Sequence, residues 1–296
     1  MANLNIKCPT LKLNDGKTIP MLGYGTGTSW YKRRDAKGLD QDLVEALKTA
    51  TKMGYTHLDG AEVYGTEPEL GEAIKKSGVP RDSLFVTTKV ISNIADIPAA
   101  LDVSLKKLGL DYVDLYLIHS PFFAKSDQDL QAKWADMEKV QKLGKAKSIG
   151  VSNYLQEHLE ATLKSATVTP AINQIEYHPY LQHGNLIPFC KEHGIAIAAY
   201  APLTPVVKAK PGPLDGYLAS LSQKYNVSEA EIMLQWCIGQ GVVAITTSRK
   251  EQRMSDYLRA LTFKLTPKEV EDIREQGKGK NYRGFWVAKF DKNDFR

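Results

Sequence analysis

His57-Leu58-Asp59-Gly60-Ala61-Glu62-Val63-Tyr64-Gly65 reads as a short apolar strand that ends on an aspartate and then, past a Gly-Ala step, delivers a tyrosine. The next strand-like run, Leu84-Phe85-Val86-Thr87-Thr88-Lys89, ends on a lysine, and the run after it, 113–118, is followed by His119. Ionisable side chains therefore recur at the ends of successive apolar strands. Taken singly, each has an ordinary reading: Asp59 as a helix cap, Lys89 with its head in water, His119 as a hydrogen-bonded core residue. Taken together they fit parallel strands closed into a barrel, where every strand ends at one face and catalytic side chains gather there.

Working outward, strand and helix patterns alternate along the chain. After a strand at 22–25, amphipathic segments at 39–53, 67–76, 97–108, 130–143, 155–163, 186–193 and 250–258 each follow a short apolar run. A longer insert with helices up to 238 follows the run at 195–200. Strands separated by helices imply parallel pairing, and eight units predict an α/β fold of the (β/α)8 TIM-barrel type, which needs about 250 residues. The 296 residues are thus expected to form one domain, 1–296. Gly54, Gly109, Gly144 and Gly194 stand where a helix is expected to stop. Before the barrel, 10–20 alternates polar and apolar around Asp15-Gly16, which predicts a β-hairpin. Beyond Gln276 the tail carries Tyr282, Arg283, Phe285, Trp286 and Phe290, so it is expected to fold back as a substrate loop or simply to pack. The Pro- and Lys-rich stretch 204–215 reads as a loop on the same face.

Composition narrows the function classes. With 43% hydrophobic and 25% charged residues, the chain can bury a large core. No stretch is apolar enough to span a membrane, and Met1 to Lys7 lacks a secretory leader, so a cytoplasmic protein is expected. Cys8, Cys190 and Cys237 are too few and too scattered for a disulfide framework or a thiolate metal site. His178, His183 and His193 form no dense ligand motif, so no metal is expected. A net charge of +5 without basic runs interleaved with aromatics gives no nucleic-acid surface. Lys32-Arg33-Arg34 reads as a solvated loop, and the expected partner is a small molecule bound by a monomer.

A tyrosine is a poor acid at neutral pH, with an unperturbed pKa of about 10. A cationic neighbour such as Lys89 would lower that value. Gly23-Tyr24-Gly25-Thr26-Gly27 does not complete a dinucleotide fingerprint, because Thr28 stands where the third glycine belongs. As a structural feature alone it reads as a tight turn after a strand. In one order along the chain, however, stand Gly23-Tyr24-Gly25-Thr26, Asp59-Gly60-Ala61-Glu62-Val63-Tyr64, Val86-Thr87-Thr88-Lys89 and Asp114-Leu115-Tyr116-Leu117-Ile118-His119. Gly150-Val151-Ser152-Asn153, Asn173-Gln174-Ile175-Glu176-Tyr177-His178-Pro179 and Ala199-Tyr200-Ala201-Pro202-Leu203 follow. Over nearly its whole length the chain resembles the aldo-keto reductase family, whose fold is the (β/α)8 barrel.

The resemblance implies a catalytic four of Asp59, Tyr64, Lys89 and His119. Tyr64 would protonate the carbonyl oxygen as hydride arrives from NADPH, Lys89 paired with Asp59 would lower the tyrosine pKa, and His119 would orient the carbonyl. It implies a cofactor set of Gly25, Thr26, Gly27, Asp59, Ser152, Asn153 and Gln174, with Tyr200, Ala201, Pro202, Leu203, Ile245, Thr246, Thr247, Ser248 and Arg253. Ser152, Asn153 and Gln174 match the positions that hold the nicotinamide carboxamide, and Tyr200 the ring on which it stacks.

Three places depart from the family pattern. An Ile-Pro-Lys-Ser segment that grips the adenosine 2′-phosphate is here Ile245-Thr246-Thr247-Ser248, with Arg249 and Lys250 nearby in place of the missing lysine. Asp256-Tyr257 replaces a Glu-Asn pair. After His119 comes Ser120-Pro121-Phe122-Phe123, without the usual tryptophan. That last feature, with Thr26-Gly27-Thr28-Ser29-Trp30, resembles a fungal subgroup that reduces conjugated polyketones, α-diketones and ketopantoyl lactone. The expected substrate wall is Trp30, Tyr64, His119, Phe123, Phe285 and Trp286. The competing readings are a broad aldehyde or aldose reductase and an NADPH-binding sensor subunit.

Overall fold

The computed structural model describes residues 6–32, 38–291, 294 and 296. Arg33 and Arg34 of the basic cluster, and most of the N-terminal segment read for a leader, lie outside the described residues. Strands β1 (Thr10–Lys12) and β2 (Thr18–Pro20) pair antiparallel, with Leu11 opposite Ile19. Gly16, at φ 84°, makes the turn between them, a backbone region open to glycine at little cost. The hairpin closes the bottom of the barrel. Fully buried Ile19 packs with Leu115, Leu117, Ile172 and Val243, and Asp15 accepts a 2.6 Å hydrogen bond from Ser148.

Above the hairpin the chain alternates as expected. It runs β3 (Leu22–Gly25), α1 (Gln41–Met53), β4 (His57–Asp59), α2 (Glu67–Ser77), β5 (Phe85–Val90), α3 (Ile97–Leu108) and β6 (Val113–Ile118). It continues α4 (Asp127–Lys142), β7 (Ala146–Ser152), α5 (Gln156–Leu163), β8 (Ile172–Glu176), α6 (Leu186–Glu192) and β9 (Ala196–Tyr200). The insert holds α7 (Thr204–Val207), α8 (Asp215–Tyr225) and α9 (Glu229–Ile238), before β10 (Val243–Thr246), α10 (Glu251–Arg259) and α11 (Pro267–Gly277). β3 through β10 pair in parallel and in chain order, and β10 pairs with β3 to close the barrel. The segment read as a loop from 204 therefore begins with a helical turn, and α11 is a helix that the alternation did not announce.

Helix α1 illustrates why these segments fold. Asp40 caps it by accepting from the Leu43 N–H, and Leu43, Val44, Leu47 and Ala50 line one buried face at helical spacing. Gly54, at φ 108°, stops it by donating back to Ala50 and Thr51. Neighbouring helices of the outer ring meet closely at one glycine. A Cβ on Gly71 of α2 would lie 2.3 Å from the carbonyl oxygen of Leu108, at the end of α3. Gly71→Ala should therefore force the two helices apart and lower stability by about 1–3 kcal/mol, read as a lower midpoint in thermal or urea unfolding. Among the described residues no helix is long and apolar enough to cross a membrane.

Candidate active site

Because all eight barrel strands run the same way, their C-terminal ends share one mouth, and the ionisable residues singled out in the sequence meet there. β4 ends on Asp59, and Lys89 sits one residue before the end of β5. The Lys89 ammonium, fully buried, donates to Asp59 Oδ1 at 2.6 Å and to the Gly60 carbonyl at 2.7 Å. Asp59 Oδ2 accepts from the Gln174 amide at 2.9 Å, from across the barrel. Burial pushes the Lys89 pKa down and the Asp59 carboxylate opposes that shift.

Tyr64 follows β4 on a single helical turn, Glu62–Tyr64. Glu62 pins that turn to the end of β5, its carboxylate accepting from the backbone N–H groups of Ile91 at 2.6 Å and Asn93 at 3.1 Å, and from Ser92. The Tyr64 hydroxyl lies 3.4 Å from His119 Nε2, the two rings meet edge to face, and the Lys89 ammonium is 5.2 Å from the Tyr64 ring centroid. The structure reverses one expectation about this group. Burial pushes the Tyr64 phenol well above the ordinary tyrosine range, and the Asp59 carboxylate, then Tyr31, push the same way. Burial and the Asp59 carboxylate outweigh the attraction of the Lys89 ammonium, which is paired with Asp59. His119 is pushed well below the usual histidine range, first by burial and then by Lys89, and is neutral at pH 7. His57, inside β4, is a core histidine bonded to Thr87 and pushed down to about 4 by burial.

The other expected residues fall into three groups. Ser152, Asn153 and Gln174 stand side by side at the ends of β7 and β8. Ser152 donates to the Gln174 carbonyl at 2.7 Å, Asn153 donates to the His119 carbonyl at 2.8 Å, and the Tyr200 hydroxyl donates to Asn153 Oδ1 at 2.7 Å. Asn153 at φ 61° and Ala201 at φ 52° take left-handed backbone that turns the chain sharply after β7 and β9. Pro202 and Leu203 continue from Ala201 into α7. On the far side, Ile245 and Thr246 end β10, and the Ser248 carbonyl accepts from Tyr24 at 2.6 Å. Thr247 Oγ1 is buried without a geometrically formed hydrogen bond among the described residues, and Arg253 is exposed on the first turn of α10.

Gly25 ends β3, while the Thr26 N–H donates to the Asp59 carbonyl at 2.9 Å. The glycine run is no simple turn. Gly23 and Gly25 belong to β3 itself, and a Cβ on Gly27 would lie 2.9 Å from the Tyr64 ring, so glycine is set there by the tyrosine's approach.

The expected substrate wall is redrawn. Trp30 is buried, its indole donating to the Tyr24 hydroxyl at 3.1 Å and its face covered by the Arg249 guanidinium at 4.1 Å, so its contacts belong to the side of α1 and α10. Its neighbour Tyr31 is the one that meets Tyr64, with ring centroids 6.4 Å apart. Phe123 packs against the core, whereas Phe122 meets Trp286 at 5.1 Å and Phe290 at 6.0 Å. Trp286 also meets His119 at 6.4 Å, and Phe285 meets Tyr200 at 5.2 Å. The tail thus folds back over the mouth. A second aromatic beside each expected one was the only sequence signal for Tyr31 and Phe122.

The aldo/keto reductase family profile matches residues 22–278. An NADPH-dependent alpha-keto amide reductase from Saccharomyces cerevisiae is 45% identical over 279 residues, covering 90% of this chain and 89% of its own length. An NAD/NADP-dependent indole-3-acetaldehyde reductase from Schizosaccharomyces pombe is 40% identical over 273 residues, covering 91% and 96%. Among solved structures, a Bombyx mori aldo-keto reductase in complex with NADP superposes with a TM-score of 0.86 at 35% identity, covering 96% of this chain and 97% of that one. An aldo/keto reductase from Brucella melitensis gives a TM-score of 0.81 at 37% identity, covering 91% and 100%. With this match spanning the barrel from β3 to α11, the chain belongs to the aldo/keto reductase family.

Proposed function

We propose that this protein is an NADPH-dependent carbonyl reductase whose substrates are ketones or aldehydes, with α-dicarbonyl compounds, conjugated polyketones or ketopantoyl lactone as the favoured class. The observation that carries the reading is a phenol held protonated by burial, in hydrogen-bond reach of a neutral imidazole, with a buried ion pair behind it.

The residues at the mouth fit a nicotinamide nucleotide. Ser152, Asn153 and Gln174 offer amide and hydroxyl groups for a carboxamide beside the Tyr200 ring, with Gly25, Thr26, Gly27 and Asp59 alongside. The orphaned Thr247 hydroxyl lies on the phosphate side between Ile245-Thr246 and Ser248, with Arg253 beyond and Ala201-Pro202-Leu203 opposite. A nucleotide held by these residues would supply the hydride for the carbonyl carbon.

The chain's own residues handle the oxygen. Tyr64 keeps its proton at neutral pH and gives it up only as negative charge grows on the substrate oxygen, which is where a general acid is useful. The tyrosinate then formed faces the Lys89 ammonium. His119 Nδ1 has no partner among the described residues, so a proton on Nε2 is the one that finds an acceptor, in the Tyr64 hydroxyl at 3.4 Å and at the oxygen site beside it. The resulting N–H stabilises developing charge without adding a full positive charge to the pocket.

The aromatic rim of Trp286, Phe122 and Phe285 favours flat, conjugated substrates, and the alpha-keto amide named for the yeast relative is itself a dicarbonyl. Purified protein should consume NADPH, followed by loss of its absorbance, with kcat/KM for an aryl α-diketone about tenfold above that for benzaldehyde, the worth of one good aromatic contact. A preference for the aldehyde would retain the chemistry and discard the dicarbonyl class. No turnover with either would favour a binding role.

A further inference from the structure

Glu176 ends β8, two residues after Gln174, and its carboxylate is buried. It makes no contact with Tyr64, Lys89 or His119 among the described hydrogen bonds. Instead it grips the C-terminal tail. Glu176 Oε1 accepts from the Gly284 N–H at 2.9 Å and Oε2 accepts from the same N–H at 3.1 Å and from the Phe285 N–H at 3.0 Å. His178 Nε2 lies 3.2 Å from Oε1, and burial keeps that ring neutral, so it donates its own N–H. Two backbone amides of the tail are thereby fixed to a barrel strand 108 residues away. Immediately after them Trp286 takes left-handed backbone at φ 57°, a conformation that β-sheet and helix neighbours do not enforce and that a non-glycine residue holds only when its surroundings fix it. That turn is what sets the indole beside His119 and Phe122.

We propose that Glu176 is the positioning residue for substrate recognition: by clamping Gly284 and Phe285 it fixes Phe285 and Trp286 as the substrate wall, and so governs affinity for bulky carbonyl compounds without entering the chemistry. The proposal rests on the carbonyl-reductase reading. Hydrogen bonds to a charged acceptor are among the stronger ones, and between the Tyr282 N–H, which donates to the Tyr180 carbonyl at 3.0 Å, and the helical turn at Val287–Lys289, Glu176 is what holds the backbone amides of Gly284 and Phe285.

Two variants approach the clamp from opposite sides. Glu176→Gln removes the negative charge and one of the two acceptor oxygens, so the Gly284 N–H, which now lies near both oxygens, meets an NH2 group in either orientation of the amide. Gly284→Ala leaves the barrel intact, but its Cβ would lie 3.1 Å from Glu176 Oε1 and push the tail outward. For both, KM for an aryl α-diketone should rise by about tenfold while kcat on a small aldehyde stays within about twofold, the pattern of lost binding rather than lost chemistry. Amide hydrogen exchange at Gly284 and Phe285, measured by mass spectrometry on the protein alone, should speed up in both. In a Trp286→Ala background the Glu176→Gln effect on KM should shrink to within about twofold, because the wall it positions is gone.

An unchanged KM in both variants of an active enzyme would overturn the proposal. So would a fall in kcat at constant KM, or an effect undiminished in the Trp286→Ala background. If the wild type turns over no carbonyl compound, the functional reading fails and exchange alone decides the clamp: faster exchange sustains it, unchanged exchange removes it.

Discussion

Tyr64→Phe should lower kcat for every carbonyl substrate by roughly a thousandfold, within the range that a positioned general acid contributes. NADPH affinity, measured by fluorescence titration, should stay within about twofold, because the loss falls on the transition state alone. The substitution is conservative for packing. The ring lies against Gly27, where a Cβ would come within 2.9 Å, and His119 at 3.4 Å is the hydroxyl's partner among the described side chains. Phenylalanine keeps the ring and removes only the proton.

The direction of the pKa shifts adds a second readout. A phenol raised well above its ordinary range stays protonated as pH rises through neutrality, and a histidine depressed well below its own stays neutral as pH falls toward it. Neither group changes state between about pH 6 and 8, so kcat/KM should be flat there. A break inside that window, or a Tyr64→Phe variant within tenfold of wild type, would remove Tyr64 from the role of acid.

What the sequence could and could not disclose follows from how far each feature depends on neighbours along the chain. Barrel strands and helices are announced by local periodicity, and β4 to β10 begin and end within a residue or two of the apolar runs. The convergence of Asp59, Lys89 and His119 then follows from closure, since parallel strands share one mouth. Side-chain direction within loops is a different matter. Whether Trp30 or Tyr31 faces Tyr64 depends on Thr28 at φ 47°, and the aim of the tail's indole depends on Trp286 at φ 57°. Neither position carries the glycine or asparagine that usually marks left-handed backbone, so the contacts of Tyr31 with Tyr64 and of Phe122 with Trp286 are not announced along the chain. The Glu176 clamp was equally invisible, being a side chain meeting backbone amides from a distant segment. The direction of the Tyr64 shift needed coordinates as well, because the depth to which the phenol is buried, the largest cause of its rise, is not legible along the chain.

The pairing of Lys89 with Asp59 should also show in stability. Lys89 is wholly buried with Asp59 at 2.6 Å. Stranding one member of a buried pair, as Asp59→Ala does, typically costs about 3–5 kcal/mol, which in a chain of this size should lower the melting temperature by on the order of 10 °C. An exposed pair provides the contrast: Lys48 meets Glu45 at 2.8 Å on the surface of α1, and Lys48→Ala should leave the melting temperature nearly unchanged. The informative protein is the double variant Asp59→Leu with Lys89→Met, in which apolar groups replace both charges. Buried ion pairs exchanged for apolar residues of similar volume often lose nothing in stability. The double variant should therefore melt well above Asp59→Ala while remaining inactive, since a tyrosinate would no longer face a cation. Such a result would mean that the pair is retained for the proton-transfer step at some expense to the fold. A double variant no more stable than Asp59→Ala would assign the pair to holding β4 and β5 together, and the electrostatic part of the mechanism would have to be sought elsewhere.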